Sequence, residues 1–253
     1  MHRFFSEEVN ISESSVRISG GDAHHAAQVL RLAVGDLIMV GTGKQDYTCR
    51  ITSISPEEVV GTIEDISGNA AELPVEITLY QGFPKGDKLE LIIQKAVELG
   101  AARIVPVWMA RSVVKMDQAK AQKRRQRYQA ISESAAKQSG RGVIPEVGTF
   151  LSMKDAVKAA EKYDMILLPY ENAEGMLHSK MVMKQVEEGA RLKTLRSLGI
   201  FIGPEGGFED SEIEALRSVG AEVITLGHRI LRTETAGMML LSVLGFLLDR
   251  DEE

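Results

Sequence analysis

Hydrophobic and polar residues alternate along much of the first 72 residues, with the period of two that is typical of half-buried β-strands. The predicted strands cover residues 16–19, 36–40, 45–54 and 58–66. The glycines of residues 41–43 indicate a turn, and one helix interrupts the strands. Asp22 is the predicted N-cap of this helix, and Ala26, Val29 and Leu30 form its apolar stripe. This part of the chain therefore predicts a small β-domain.

The pattern changes after residues 68–74, where glycine, asparagine and proline indicate a linker. Short apolar segments then alternate with amphipathic helical ones, which is typical of a parallel sheet with crossing helices. The predicted strands are residues 75–80, 103–108, 164–169, 199–202 and 222–226. The predicted helices are residues 87–99, 117–139, 152–162, 209–219 and 234–248. We therefore predict two domains, residues 1–72 and residues 73–253, of which the second has an α/β fold.

Three loops follow predicted strands of the second domain, at residues 169–172, 203–208 and 227–236. The carboxyl edge of an open α/β sheet is where such folds bind ligands, and the three glycines of the second loop allow a close approach of the backbone. Ordinary turn chemistry explains the glycines equally well, and Thr233 fits an N-cap of the last helix. The loops contain neither a phosphate-binding loop nor a dinucleotide fingerprint.

The composition is that of a globular protein, with 44% hydrophobic and 26% charged residues in 253. No apolar run approaches the ~18 residues that span a bilayer, and the first residues lack an apolar signal core. The single cysteine, Cys49, excludes an internal disulfide and favours a reducing cytoplasm. Cysteine and histidine are too few and too scattered for a structural zinc site. We therefore expect a cytoplasmic protein with no membrane segment and no metal.

The charge is distributed unevenly along the chain. The net charge of −6 argues against a nucleic-acid partner, and residues 1–72 carry 5 basic and 11 acidic residues. Residues 103–141, in contrast, carry 10 basic and 2 acidic residues. A basic segment of this kind can bind phosphates, although a solvated helix face explains the same charges.

Two segments near the carboxyl end carry a family resemblance. Residues 202–208 read Ile-Gly-Pro-Glu-Gly-Gly-Phe, and residues 226–236 read Leu-Gly-His-Arg-Ile-Leu-Arg-Thr-Glu-Thr-Ala. In this order they resemble the signature pair of the ribosomal small-subunit methyltransferase E family, which belongs to the SPOUT class. Residues 22–31 and 88–100 also resemble that family. The resemblance therefore covers nearly the whole chain.

The resemblance implies a fold and an activity. The expected fold is a small PUA-like β-barrel domain that contacts RNA, followed by an α/β SPOUT domain with a parallel sheet and a deep trefoil knot near the carboxyl end. The implied methyl donor is S-adenosylmethionine. The implied product is an N3-methylated uridine in the 16S ribosomal RNA of the small subunit. The implied assembly is a homodimer, in which the partner chain completes each active site.

The resemblance also assigns the donor site to the ends of the three loops. Backbone groups would bind the adenine edge, and apolar side chains would cover its faces. The residues so assigned are Leu168, Ile202, Gly203, Gly206, Leu226, Gly227, Ile230 and Leu231.

The chemistry requires that a proton leave uracil N3 before or during the attack on the methyl group. A cation near a carbonyl oxygen of the base would stabilise the negative charge that develops, and Arg232 is the candidate. Glu205 or Glu234 would either accept the proton or orient Arg232. Glu234 is also explained as an acid in the first turn of a helix.

Five residues are candidate RNA ligands: His24, Arg31, Lys88, Arg111 and Arg141. His24 and Arg31 lie in the segment that resembles the RNA-contacting domain, although Arg31 would also suit the last turn of a helix. Arg111 and Arg141 lie at the ends of predicted elements, where we prefer them to the arginines within the basic helix. Lys88 is also explained as part of a solvated helix surface.

Two alternative functions remain open from the sequence, and so does the assembly. One is a SPOUT methyltransferase that acts on another RNA, such as tRNA. The other is an RNA-binding protein that has lost its donor site. Residues 238–248 are apolar on more sides than one buried stripe requires, which favours a subunit interface over a helix packed inside its own domain.

Overall fold

The computed structural model describes residues 1–6, 10–12, 14–112, 118–171 and 175–249. They form two compact units, residues 1–72 with 136–144, and residues 73–135 with 145–253. The short segment 136–144 therefore belongs to the first unit, whereas the sequence placed it in the second domain. Among the described residues, no helix combines the length and the apolar character that crossing a membrane requires.

The first unit contains a five-stranded mixed sheet. Its strands are β1 (His2–Phe5), β2 (Ser15–Ser19), β3 (Leu37–Gly41), β4 (Gln45–Ile54) and β5 (Glu58–Gly68). They lie in the order β1-β3-β4-β5-β2, with β1 parallel to β3 and the other neighbours antiparallel. β1 and β2 form the two edges, and the sheet is a mixed half-barrel, which agrees in part with the expected PUA-like β-barrel domain.

The alternation of residue types explains this sheet. Val16, Ile18, Ile38, Val40 and Ile51 occupy inward positions and are at most 4% exposed. The polar residues between them face outward, as the period of two requires. The four longer strands overlap the predicted ranges, whereas β1 was not predicted because its residues do not alternate.

The helix of the first unit is short and irregular. The α-helix α1 (Gly21–His24) continues into a π-helical turn, His25–Val29. Gly20 occupies the N-cap position with φ 67°, so the prediction of Asp22 as N-cap is wrong. Arg31 follows the turn with φ 53°, in a left-handed conformation that is uncommon for a residue with a Cβ.

Residues 136–144 are fastened to the first unit by charged groups. The guanidinium of Arg141, a residue that is 3% exposed, pairs with the carboxylate of Glu72. Glu72 also accepts a hydrogen bond from the N–H of Gly142 at 3.0 Å. Lys137 Nζ lies 2.7 Å from Asp22 Oδ1. The pairing with Glu72 compensates the charge of the buried Arg141, which would otherwise be costly.

The second unit contains a parallel sheet of seven strands. They are β6 (Glu76–Gly82), β7 (Arg103–Trp108), β8 (Glu146–Val147), β9 (Leu151–Ser152), β10 (Met165–Pro169), β11 (Ser197–Ile202) and β12 (Ala221–Ile224). The order is β12-β10-β11-β6-β7-β8, and β9 also pairs with β7. Every pair is parallel, which confirms the predicted parallel sheet. The short strands β8 and β9 were not predicted.

Helices connect these strands. They are α2 (Lys88–Glu98), α3 (Gln118–Ser139), α4 (Met153–Ala160), α5 (Met176–Arg191), α6 (Asp210–Ser218) and α7 (Thr233–Leu248). α7 packs against both α2 and α5. α5 was predicted only in part, because just three of its sixteen residues are buried and one of those is Ser179.

The middle of the sheet positions a set of loops. β12, β10, β11 and β6 are adjacent and parallel, so their carboxyl ends lie along one edge. Leu79, Leu167, Leu168 and Ile200 in three of these strands are completely buried. Strands anchored in this way give a rigid base to the loops that follow them.

Candidate active site

A cavity of about 790 Å³ lies at this edge of the sheet. The loops after β10, β11 and β12 form its wall, through residues 169–171, 202–208 and 225–233. Lys88 from α2, Arg111 from the loop after β7, Gly175 and Met176 at the start of α5, and Ala236 of α7 also line it. A cavity of this size accommodates a ligand as large as a nucleoside with a side chain.

Close approaches shape the loop after β11. The N–H of Gly207 donates to Pro204 O at 2.9 Å, and Gly207 has φ 69°. A Cβ on Gly206 would lie 2.9 Å from the Cβ of Arg111, a distance that would force the loop to move. A Cβ on Gly203 would lie 3.2 Å from the backbone of Gly207. The glycines are therefore required by the packing of the loop itself, before any ligand is considered.

A buried chain of polar groups joins this loop to the start of α7. Gln81, which is 0% exposed, donates from Nε2 to Thr233 Oγ1 at 2.8 Å. Thr233 Oγ1 in turn donates to Gly203 O at 2.6 Å. Thr233 is thus the first residue of α7 rather than its N-cap, and its hydroxyl binds a neighbouring loop. Sequence analysis missed Gln81, although a glutamine within an apolar strand was a usable signal.

Seven of the eight predicted donor-binding residues line the cavity: Ile202, Gly203, Gly206, Leu226, Gly227, Ile230 and Leu231. The eighth, Leu168, is 0% exposed in the core of the sheet and does not line it. Pro169 and Tyr170, which follow it, line the cavity instead. The ligand role of these residues stays a prediction.

A lysine lies between the two candidate catalytic acids. Lys88 Nζ is 3.0 Å from Glu205 Oε1 and 3.4 Å from Glu234 Oε2. Burial raises the pKa of Glu205, but hydrogen bonds from its own N–H, from Lys88 and from the N–H of Lys85 outweigh it and hold the pKa below its usual value. The hydrogen bond with Glu205 raises the pKa of Lys88. Glu205 and Lys88 are therefore both charged at neutral pH.

The three candidate catalytic residues differ in their access to the cavity. Arg232 is exposed and lines the cavity, and no acid in the described part of the chain pairs with it. Glu205 lines the cavity as well. Glu234 does not, and its side chain is 16% exposed. Neither acid therefore contacts Arg232 in this structure, as the predicted orienting role would require.

The predicted RNA ligands lie in three settings. Lys88 and Arg111 belong to the cavity, and Arg111 Nη1 donates to Gly206 O at 2.9 Å. The burial of Arg141 and its pairing with Glu72 do not support the predicted RNA contact of that residue. His24 and Arg31 are exposed on the first unit, on either side of the π-helical turn.

The chemistry of the cavity fits S-adenosylmethionine. Backbone groups of the glycine loops offer hydrogen bonds to a base, and Ile202, Leu226 and Leu231 offer apolar surface to its faces. Gly227 adopts φ 114°, and a Cβ there would meet nothing within 4 Å. Within the residues that the structure describes, no group of three histidine, cysteine or acidic side chains could hold a metal ion.

Comparisons with known sequences agree with this geometry. A family model described as an RNA methyltransferase domain matches residues 71–245, and one described as an RNA methyltransferase PUA domain matches residues 18–64. A ribosomal RNA small subunit methyltransferase E of Bacillus subtilis (strain 168) is 35% identical, over 97% of this chain and 96% of the relative. One of Mycobacterium bovis is 31% identical, over 92% of this chain and 87% of the relative.

A solved structure has the same fold. It is a ribosomal RNA small subunit methyltransferase E from Neisseria gonorrhoeae bound to S-adenosyl methionine, at 29% identity. The two structures superpose with a TM-score of 0.80, and the match covers 98% of each chain. The chain described here belongs to the ribosomal RNA small subunit methyltransferase E family.

Proposed function

We propose that this protein transfers a methyl group from S-adenosylmethionine to N3 of a specific uridine in the 16S ribosomal RNA of the small subunit. Its family membership supports the reaction class and the substrate. The observation that carries the proposal is the cavity, because both family motifs, residues 202–208 and 226–236, contribute to its wall. A ribosomal substrate would place the activity in the cytoplasm.

The donor would be held by the loops after β10, β11 and β12. When bound, S-adenosylmethionine supplies an electrophilic methyl group on a sulfonium. The protein's own role is to position the donor and the substrate. The glycine loops leave room for the donor, and the hydrogen bonds of Gln81 and Thr233 fix the distance between the loop after β11 and the start of α7. Such alignment accelerates a displacement reaction without a metal ion.

Arg232 would act on the base. Its guanidinium is exposed at the cavity and no described acid neutralises it, so it is available to a carbonyl oxygen of uracil. A fixed cation there stabilises the negative charge that grows on the ring as N3 loses its proton.

Glu205 would accept the proton. Of the two candidate acids only Glu205 lines the cavity, and its lowered pKa keeps it ionised at neutral pH. Glu234 is more enclosed, and its Oε2 lies 3.4 Å from Lys88 Nζ. We therefore propose that Glu234 stabilises the charged cluster with Lys88 and Glu205 and does not accept the proton.

RNA recognition would involve exposed cations of both units. His24 and Arg31 flank a π-helical turn, and π-helical turns occur often at functional sites. The left-handed backbone of Arg31 is a further departure from regular geometry at this place. In the second unit, exposed residues of α3 such as Lys123 and Arg124 offer charge to phosphates.

The proposal includes the trefoil knot. A Cβ on Gly82 would lie 2.6 Å from Pro204 Cδ, and one on Gly237 would lie 3.7 Å from Ile202 Cγ1. The first residue of α7 also binds this loop, through the hydrogen bond from Thr233 Oγ1 to Gly203 O at 2.6 Å, and these close contacts support the proposed knot. A crystal structure with an unbroken trace through residues 170–176 would decide the threading.

The proposal also includes a homodimer. A second cavity, of about 460 Å³, lies between α5 and α7, and its lining includes Met183, Met239 and Val243. It shares Met176, Thr225 and Leu226 with the wall of the first cavity. A partner chain seated on this apolar groove would therefore reach the donor site.

The proposal is tested by methylation in vitro. The protein and isotopically labelled S-adenosylmethionine are incubated with 16S ribosomal RNA, with small ribosomal subunits and with tRNA. We expect the label in 16S RNA or in the subunits, at one uridine that nuclease digestion and mass spectrometry identify as N3-methylated. The first two samples also distinguish naked RNA from an assembled subunit as substrate.

Other outcomes would replace the proposal. Label in tRNA alone would favour the alternative RNA substrate. Binding of RNA with no transfer, together with no calorimetric signal for the donor, would favour an RNA-binding protein without catalysis.

A further inference from the structure

Lys88 is the first residue of α2, at the rim of the cavity, and two acids from distant parts of the chain meet there. Glu205 comes from the loop after β11, and Glu234 comes from the first turn of α7. Their carboxylates share one ammonium group, at 3.0 Å and 3.4 Å. Lys88 is therefore the cation that joins the two acids.

The arrangement has an electrostatic consequence. The side chains of Glu205 and Glu234 are only 28% and 16% exposed, so water screens the repulsion between them incompletely. Without the ammonium group, two neighbouring carboxylates either separate or share a proton. With it, Glu205 remains ionised and the two carboxylates stay close together.

The arrangement also makes Lys88 a poor ligand for RNA. Its ammonium is already engaged by two carboxylates, and its side chain is 32% exposed. A phosphate would have to compete with both acids and would meet their negative charge.

We propose that Lys88 is a positioning residue, which holds Glu205 and Glu234 together beside the cavity, and not an RNA ligand. The inference rests on the proposed function for the role of Glu205, but the contact itself does not. Lys88 acts through the carboxylates: it keeps Glu205 ionised and fixes the place at which that residue accepts the proton.

Other charged groups surround this cluster. Lys85 and Asp87 precede Lys88 in the chain. The remaining charged residues of the cavity wall are Arg111, Glu171, His228, Arg229 and Arg232. All of them are retained in the variants below, so a difference between variants reports on residue 88.

The activity test compares Lys88→Met with Lys95→Met. Lys95 lies on the same helix, is 37% exposed and binds Glu98 at 2.7 Å, so its loss removes a similar ion pair away from the cavity. We expect Lys88→Met to lower kcat at least tenfold while the KM for RNA and its salt dependence stay within twofold of wild type. Lys88→Arg should recover most of the loss, and Lys95→Met should resemble wild type.

The pH profile separates positioning from simple loss of structure. Removing the cation takes away a group that lowers the pKa of Glu205, so the acidic limb of kcat should move to higher pH in Lys88→Met. It should stay in place in Lys88→Arg and Lys95→Met. A raised KM for RNA with unchanged kcat would make Lys88 an RNA ligand, and a wild-type profile in Lys88→Met would make it a solvated surface residue. Either result overturns the proposal.

A second measurement does not depend on activity. Carbon-13 NMR titration of the glutamate carboxylates, assigned with Glu205→Gln and Glu234→Gln, gives the apparent pKa values of the pair. We expect the pKa of Glu205 to rise in Lys88→Met and not in Lys95→Met. Unchanged values would overturn the positioning role even in an active protein. If the wild-type protein showed no methylation but the pKa still rose in Lys88→Met, only the proposed function would be overturned, and the positioning role of Lys88 would stand.

Discussion

Arg232 differs from the other charged residues of the site because no described acid holds it. Replacement by methionine keeps much of its length and removes the charge that the proposed transition state needs. We expect Arg232→Met to lower kcat by about 100-fold or more, as the loss of one stabilising group does in other enzymes. Single-turnover methylation of 16S RNA measures this directly.

The control for this prediction is Arg217→Met, an exposed arginine on α6 outside the cavity. The donor affinity of both variants should equal that of wild type. If Arg232→Met weakened donor binding and left the transfer rate intact, Arg232 would be a donor ligand instead.

Gly206 tests the loop after β11. Gly206→Val adds a Cβ at 2.9 Å from Arg111 Cβ and so displaces the loop that walls the cavity. Calorimetry should show donor affinity reduced at least tenfold, which is ~1.4 kcal/mol. Gly21→Ala should bind normally, because a Cβ added at Gly21 would meet no atom within 4 Å. Unaltered affinity in Gly206→Val would remove this loop from the donor site.

At the scale of elements, the hydrogen bonds from Gln81 to Thr233 and from Thr233 to Gly203 join β6, α7 and the loop after β11. Thr233→Val removes the hydroxyl, so the buried Gln81 Nε2 keeps only its bond to Gly82 O, and Gly203 O loses its donor. We expect the free energy of unfolding to fall by about 1–3 kcal/mol. Urea denaturation measures it, with Thr233→Ser expected to stay close to wild type.

Thr235→Val is the matched control on the same helix, because Thr235 is exposed. Equal stabilities for Thr233→Val and Thr235→Val would mean that the buried hydroxyl contributes nothing. A selective loss would identify Thr233 as the fastening point of α7.

The elements that could be predicted were those whose burial leaves a regular pattern. β10 and β11 are largely apolar runs, and β4 and the first residues of β6 alternate, so the pattern identified them. β8 and β9 have two residues each, which is too short for any period. The N-cap prediction failed at Asp22 because the helix begins earlier, after Gly20, and the carboxylate of Asp22 instead binds Lys137, which is distant in sequence.

The parts of the candidate site that lie in continuous sequence motifs could be predicted. The glycine loops and Arg232 lie within two continuous segments, which resemblance identified. The burial of Arg141 and Leu168 was not predicted, because the residues that bury each of them are remote in the sequence. The same limit hid Gln81, since its bond to Thr233 spans 152 residues.

At the scale of the whole molecule, the groove between α5 and α7 tests the proposed dimer. Val243 lines this groove and is 36% exposed. Leu244, next to it in the sequence, is 0% exposed and packs in the core of its own unit. Val243→Glu should therefore break an interface without unfolding the chain. Light scattering should then give a mass near 27.7 kDa, against twice that mass for wild type.

The same substitution at Val34, an exposed valine of the first unit, provides the control and should leave the dimer intact. Methylation should be lost together with the dimer. An active wild-type sample that is monomeric at working concentration would refute this part of the proposal.

RNA binding is the second property of the whole molecule that charge predicts. Lys123 is exposed on α3, and Lys154 is exposed on α4. Lys123→Glu should weaken RNA binding and flatten its salt dependence, while Lys154→Glu should change both less. Filter binding over a series of salt concentrations measures the two slopes, and equal slopes would leave α3 as a solvated helix.

The membership of residues 136–144 in the first unit bears on the order in which the protein matures. Synthesis proceeds from the amino end, and residues 1–72 emerge before Arg141 exists to pair with Glu72. The half-barrel is therefore completed by residues 136–144, which are translated only after β6 and β7 of the second unit. Its folding on the ribosome is completed late, although its strands are the first to be made.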